Sequence, residues 1–296
     1  MIDIGPARLI AIGNASLTAR IAPLGAELVS LRDSAGRELM TDADPAFWTG
    51  HAPILFPIVG RLQDDEYRVD GVAYRLPQHG FARRRDFAVV AQGDDHVRLR
   101  LEDDAATRAV YPFAFALEVE HRLDGATLTT AVTVTNRDDR DLPASIGFHP
   151  AYAWPLPYGP DRAAHRILFA ADEPGKLSAI AGNGTIAAAR RDSPLDGRTL
   201  ALTDDLFAHD ALVWDPVRSR SVLYGAPDGP QLRIDYPELT RLGIWSKPGA
   251  RFVCIEPWDG IADPQGFDGD IFDKPGIHRV APGASHRAVM SVTLET

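Results

Sequence analysis

A chain of 296 residues, 45% apolar and 24% charged, carries enough apolar surface to bury a sizeable core and is close to ordinary globular averages. Its 41 acidic residues against 31 basic give a formal net charge of −10, which disfavours nucleic acid or an anionic membrane as the principal partner and fits a neutral small molecule better. The single cysteine, Cys254, rules out an intrachain disulfide framework and any multi-cysteine metal site, and suits a reducing, cytoplasmic setting.

In chain order, Met1-Ile2-Asp3-Ile4-Gly5-Pro6 places an acid and a proline where a secretory signal needs basic residues and then an apolar run. No stretch reaches the roughly 18 apolar residues of a membrane helix. Alternation with a period of two predicts strands over 97–101, 113–121, 126–135, 231–236 and 288–294. Turn signals fall between them: Asp124-Gly125, Asn136-Arg137-Asp138-Asp139, Pro227-Asp228-Gly229-Pro230 and Asp268-Gly269-Asp270. The best helical segment is 103–109, about two turns, ending before Tyr111-Pro112, where the proline discourages continuation. With many strands, 23 prolines and no linker or charge run to cut the chain, the expectation is all-β. Two large antiparallel sheets should pack face to face as a sandwich, in one domain spanning 1–296 with very little helix.

Two motifs are set aside. Gly182-Asn183-Gly184-Thr185-Ile186-Ala187 matches a dinucleotide-binding pattern but lacks the strand, helix and βαβ context that the pattern requires. Residues 263–273 hold four aspartates without the spacing of a calcium loop, and read as a solvated, turn-rich loop.

The segment 251–256 reads as a strand apolar on both faces, hence central, with Glu256 at its end before Pro257, which should terminate pairing. A carboxylate there is costly unless partnered, so Glu256 either holds an internal arginine or opens into a cavity that binds something polar. His149 follows the strand-like step Ile146-Gly147-Phe148, and His79 and Arg61 lie in loops. Indole rings suit the mixed C–H and hydroxyl surface of a sugar. Trp48, Trp154, Trp214, Trp245 and Trp258 are the supply, and Trp245 and Trp258, flanking the Glu256 strand, are the two assigned to a binding site.

Four motifs then carry a resemblance. Phe56-Pro57-Ile58-Val59-Gly60-Arg61, Gln78-His79-Gly80-Phe81-Ala82-Arg83, Gly147-Phe148-His149-Pro150-Ala151-Tyr152 and Cys254-Ile255-Glu256-Pro257-Trp258 stand in the order and spacing of the aldose 1-epimerases, or mutarotases. Lys274-Pro275-Gly276-Ile277 with Pro282-Gly283 is similar to the family's C-terminal pattern, so the match runs over nearly the whole chain. The chain resembles the compact bacterial branch. The resemblance implies a galactose-mutarotase-like supersandwich with an open cleft for a free sugar. It further implies Glu256 as general base, His149 as general acid, His79 and Arg61 as supporting substrate contacts, and Asp210 as the aspartate that binds sugar hydroxyls.

Exchange of α and β anomers requires taking the proton from the C1 hydroxyl, protonating the ring oxygen, turning about C1–C2 and closing on the other face. Ordinary pKa values make a carboxylate the base and an imidazolium the acid near neutrality, if the neighbours of the imidazole favour its charged form. No cofactor or metal is needed. The implied partner is a small sugar, with the protein a monomer or homodimer. Three alternatives compete: a hexose-6-phosphate epimerase using Arg83-Arg84-Arg85 as a phosphate clamp, a non-catalytic carbohydrate-binding protein of the same fold, and a glycosidase, for which no second carboxylate of comparable context is found.

Overall fold

Residues 9–159 and 161–296 are described by the computed structural model; the 1–6 segment on which the signal reading turned lies outside them. Among the described residues no helix is long and apolar enough to cross a membrane. The alternating segments become strands, each bound within three residues of its expectation: His96–Glu102, Phe115–Asp124, Thr127–Asn136, Gln231–Asp235 and Ser285–Glu295. These lie side by side in one antiparallel nine-stranded sheet. The hairpin at Asp124-Gly125 has the two-residue loop that the turn signal predicts, with Asp124 opposite Thr127.

An eight-stranded sheet packs against it. Its main path runs Ile186–Arg191, Leu177–Ile180, Leu212–Trp214, Arg241–Trp245, Phe252–Trp258, Gly147–Phe148 and Ile54–Leu55, and Ala151–Ala153 also pairs with Phe252–Trp258. Leu117 and Val132 of the first sheet share a hydrophobic cluster with Leu242 and Ile255 of the second, so the core lies between two facing sheets as a sandwich requires. The one α-helix among the described residues, Ala105–Val110, falls on the expected segment. Its start is fixed by a capping box, in which Asp104 accepts from the Thr107 backbone and Thr107 Oγ1 accepts from the Asp104 backbone.

Phe252–Trp258 is central, as its composition implied, and every residue in it is buried. Val253 and Ile255 enter the inter-sheet core, while Cys254, Glu256 and Trp258 point from the opposite face. Pro257 does not terminate pairing: it sits opposite Leu242, and the strand continues to Trp258 opposite Arg241. The reason lies on the other flank. Ile255 donates its N–H to Pro150 O at 3.2 Å, so Pro257, two residues on, turns its missing donor toward that same neighbour. There the ladder is interrupted at His149-Pro150, between the Trp258–Gly147 and Cys254–Ala151 pairings.

The reading of 263–273 as a solvated loop needs correction at its first aspartate. Asp263 is buried and pairs with buried Lys274 at 2.8 Å, while its other oxygen accepts from Gln63 N at 2.8 Å. A lysine eleven residues along the chain gives no local signal of that contact. The glycine-rich 182–187 motif is the turn between two antiparallel strands, as its missing context implied.

Candidate active site

The outward face of the Phe252–Trp258 strand is the floor of a cavity of about 390 Å³. Glu256 stands in it and has no arginine partner; of the two fates its burial allowed, it opens into a cavity. Beside it, the Trp258 indole lies across the neighbouring Gly243, whose position could hold no Cβ without striking that ring. Gly147, on the strand at the other side, leaves the same room. The missing side chains let a large aromatic ring lie on the sheet as a platform.

Where the ladder breaks at His149-Pro150, the His149 side chain is free to turn into the cavity, and its Nε2 lies 3.2 Å from Glu256 Oε2. Trp48 stacks on the His149 ring at 5.0 Å and 29°, and Trp245 meets Trp48 edge-on at 5.8 Å. The imidazole is thus held between aromatic surfaces. His79 faces His149 edge-on, with ring centroids 5.7 Å apart. Its backbone is in the left-handed region at φ 66°, a conformation histidine adopts more readily than most residues but one that still carries strain. The next residue, Gly80, also has positive φ and passes so close to Phe56 O that no side chain could fit. His79 Nδ1 accepts from Gly60 N at 3.1 Å, which makes the neutral ring the Nε2–H tautomer, and that Nε2 lies beside the cavity with the Gln78 side-chain amide 3.3 Å away. Burial, with the His149 ring beside it, pulls the His79 pKa well down, so the ring is a neutral imidazole.

Electrostatically the pair departs from the simple expectation. Burial raises the Glu256 carboxyl well above its ordinary value, and the Asp210 charge adds to that rise. Burial also pulls His149 down to about 3, with Arg83 opposing its charged form. The neighbours therefore do not favour an imidazolium, as the sequence argument required. Burial at the cavity floor favours a neutral acid beside a neutral imidazole, one proton between two groups in contact. Three buried side-chain atoms of cavity-lining residues make no hydrogen bond to other protein groups: His149 Nδ1, Trp258 Nε1 and Arg83 Nε.

The remaining expected residues divide. Asp210 and Trp245 line the cavity, Asp210 as an exposed rim residue with φ 70°. Arg61 does not line it; its guanidinium makes two 2.9 Å bonds to Asp65 and borders an adjoining depression near Gly184 and Asp210. The three consecutive arginines do not form a clamp. Arg83 lines the cavity, Arg84 is exposed, and Arg85 turns to Asp104 at 3.6 Å. Trp154 and Trp214 belong to the core.

Sequence reasoning left Trp48 out of the site because only the tryptophans flanking the Glu256 strand were assigned to it. Its contact with His149 is made by tertiary packing alone. Ile180 and Val213 were not singled out, because nothing local to an aliphatic residue says that it meets a cavity.

Two trios bring possible metal-ligand atoms within 4.8 Å of one another: His149, Cys254 and Glu256, and Asp259, His278 and His286. Burial raises the Cys254 thiol well above its ordinary value and keeps it protonated, so the first is arranged for proton exchange rather than for a soft metal. In the second, the two imidazole planes stack at 4.0 Å and 18°, so their in-plane lone pairs do not converge on one point.

A double antiparallel sheet holding a histidine–carboxylate pair in a tryptophan-lined cavity defines a galactose-mutarotase-like protein, and comparisons with known proteins agree. The sequence model of the aldose 1-epimerases matches residues 8–224, which include Arg61, His79, His149 and Asp210 and stop short of Glu256. Protein LacX, chromosomal, of Lactococcus lactis subsp. lactis is 30% identical over 295 residues, covering 96% of this chain and 99% of that protein. Among solved structures, a galactose mutarotase related enzyme from Lactobacillus acidophilus superposes with a TM-score of 0.89 at 33% identity, over 98% of both chains. A galactose mutarotase-like protein from Lactobacillus casei gives 0.88 at 30% identity, over 97% of this chain and all of that one. The chain belongs to the aldose 1-epimerase family.

Proposed function

We propose that this protein catalyses the interconversion of α and β anomers of a free aldose in the Glu256–His149 cavity. The observation that carries the reading is the 3.2 Å contact between Glu256 Oε2 and His149 Nε2 on the floor of a sugar-sized hollow. A protein that only binds sugar has no need of an acid and a base in contact.

In the ion-pair form of the couple, the Glu256 carboxylate takes the proton from the C1 hydroxyl while the His149 imidazolium protonates the ring oxygen. The C1–O5 bond breaks and the open-chain aldehyde forms. Rotation about C1–C2 and return of both protons closes the other anomer, leaving the pair as it began. Burial disfavours both charges, so the ion-pair form has to be stabilised by sugar hydroxyls replacing missing partners. The neutral His79 Nε2–H is a donor suited to an oxygen of the sugar, and Trp258 offers a flat surface to its C–H face. Asp210 at the rim accepts from sugar hydroxyls. Arg61 contributes from the adjoining depression, through donors left over from Asp65. Each proton transfer contributes about 10²–10⁴-fold, so the two together remove on the order of 6–10 kcal/mol from the barrier without a cofactor.

Polarimetry on freshly dissolved α-anomers tests this. Glu256→Gln should reduce catalysed mutarotation to the spontaneous rate while calorimetry still detects sugar binding; an undiminished rate in that variant removes Glu256 from the mechanism. A phosphorylated aldose meets one cavity arginine, Arg83, rather than three, so glucose should be turned over at least as well as glucose 6-phosphate.

A further inference from the structure

The cavity continues beyond the acid–base pair. Gln78, Ile180, Gly184 and Asp210 line it and also line an adjoining depression of about 450 Å³, whose further walls include Arg61, Asn183 and His209. Glu256, His149 and the cavity tryptophans line only the first hollow. The two together form one trough with its acid and base near one end.

The sheet register gives its reach. Glu256 is opposite Gly243, Gly243 opposite Val213 and Val213 opposite Ser178, so the strand that carries Ile180 lies three strand spacings from Glu256, about 14 Å. A pyranose is about as wide as one such spacing. With C1 at Glu256 and His149, a single ring fills the near end and leaves the outer depression to whatever its far corner carries. C4 is that corner: it stands across the ring from C1, whereas C2 adjoins C1 and C5 is joined to it through the ring oxygen.

The outer depression suits a neutral ligand rich in hydroxyls. Arg61 already binds Asp65 through Nε and Nη2, which leaves Nη1, and Asp210 sets a carboxylate on the same wall, so an anion finds no uncompensated positive charge there. Asn183 Oδ1 accepts from Thr185 Oγ1 at 2.7 Å, which holds the side chain by its oxygen and leaves the NH2 group as a donor. Asp210 Oδ1 accepts from Ala211 N at 2.7 Å, which leaves Oδ2 as an acceptor. A hydroxyl both donates and accepts, so a second sugar ring matches this mixture. The walls are also fixed in advance, which lowers the cost of ordering them on binding. Gly184 has φ 84°, and a Cβ on it would stand 3.0 Å from Arg61 Cδ, so the glycine lets the Arg61 stem lie against the turn. Across the depression, Arg191 ties the loop by donating to His209 O at 3.0 Å.

We infer that the outer depression is a second sugar subsite, and that the preferred substrate is a disaccharide joined through O4 of a free reducing-end aldose. The inference rests on the anomer-exchange reading of the first cavity.

The test measures anomer exchange at the reducing end by NMR magnetisation transfer, with the spontaneous rate of each sugar subtracted, on two series. One is D-glucose with maltose and cellobiose, joined through O4, and isomaltose, joined through O6. The other is D-galactose with its 4-O-β-galactosyl and 6-O-β-galactosyl derivatives. In the series turned over faster, kcat/KM for the better O4-linked disaccharide should exceed that of the monosaccharide by about fivefold or more, the equivalent of one net hydrogen bond. The O6-linked isomer should show no such gain. Asn183→Asp keeps the oxygen that Thr185 uses and removes the NH2 donor, and His209→Ala removes an exposed side chain from the other wall. Each should cut the disaccharide preference several-fold and leave the monosaccharide rate unchanged. A monosaccharide or an O6-linked isomer handled as well as the O4-linked sugar overturns the inference, as does a preference undiminished in both variants. Exchange of none of these sugars counts instead against the anomer-exchange reading itself.

Discussion

Two buried acid–base pairs stand within a few residues of each other in this fold and are built to opposite rules. Lys274 and Asp263, behind the cavity wall, are an ion pair tied to the backbone at both ends: Lys274 Nζ lies 2.8 Å from Asp263 and donates to Ile261 O at 2.5 Å, and Asp263 also accepts from Gln63 N. Glu256 and His149, on the cavity floor, have chiefly each other, and His149 Nδ1 has no partner. A buried pair anchored to the backbone fixes the shape of its surroundings, here joining the Ile261 segment to the segment that follows Arg61. A pair that lines a hollow leaves its acid and base within reach of a ligand. The comparison separates a structural ion pair from a site better than burial does, since all four side chains are buried.

The contrast breaks most sharply at Lys274. Lys274→Met leaves Asp263 charged and buried with one partner gone, and should cost about 3–5 kcal/mol in urea unfolding. Adding Asp263→Leu to it should recover most of that loss, because an apolar pair needs no compensation. A single variant that loses less than about 1 kcal/mol would show that the pair is not the fixed point described.

On the other side of the comparison, His149→Asn keeps the backbone and a polar side chain but removes the transferable proton. Its catalysed mutarotation rate should fall at least 100-fold, about 2.7 kcal/mol in barrier, with a much smaller change in stability than at Lys274. Normal turnover would pass the acid role to His79. That outcome would also conflict with the Gly60 N–H bond that holds Nδ1 of His79 unprotonated.

How much of this was legible beforehand follows from what is local in a chain. Strands over 97–101 or 126–135 show themselves by alternation, because the period of two is a property of neighbouring residues. Glu256 and His149 show themselves because each is a polar group in an apolar strand context and because four motifs keep the spacing of a known family. The platform under Trp258 depends on Gly243 and Gly147, two glycines on different strands that only the register brings beside it. Trp48 reaches His149, and Lys274 reaches Asp263, by the same long-range route. The protonation of the Glu256–His149 couple was misjudged because ordinary pKa values describe groups in water, and the burial that shifts them appears only once two sheets and a loop have closed around the pair.

The smallest expected effect concerns that protonation. Between the ordinary carboxyl value and its raised value in the fold, Glu256 holds a proton that the unfolded chain has released. Its contribution is therefore fully present below the ordinary value and is lost as pH rises through the raised one. His149, pulled down to about 3, runs the opposite way: its contribution is complete above about 6.5 and is lost as pH falls toward 3. Glu256→Gln deletes the first slope and leaves the second. Relative to the wild-type protein, the variant should thus gain stability as pH rises from 5 to 8. Urea titrations of both proteins at the two pH values measure the difference directly. An identical offset at pH 5 and pH 8 would mean that Glu256 is ionised in the folded protein, and the proton shared with His149 would have to be placed on the imidazole instead.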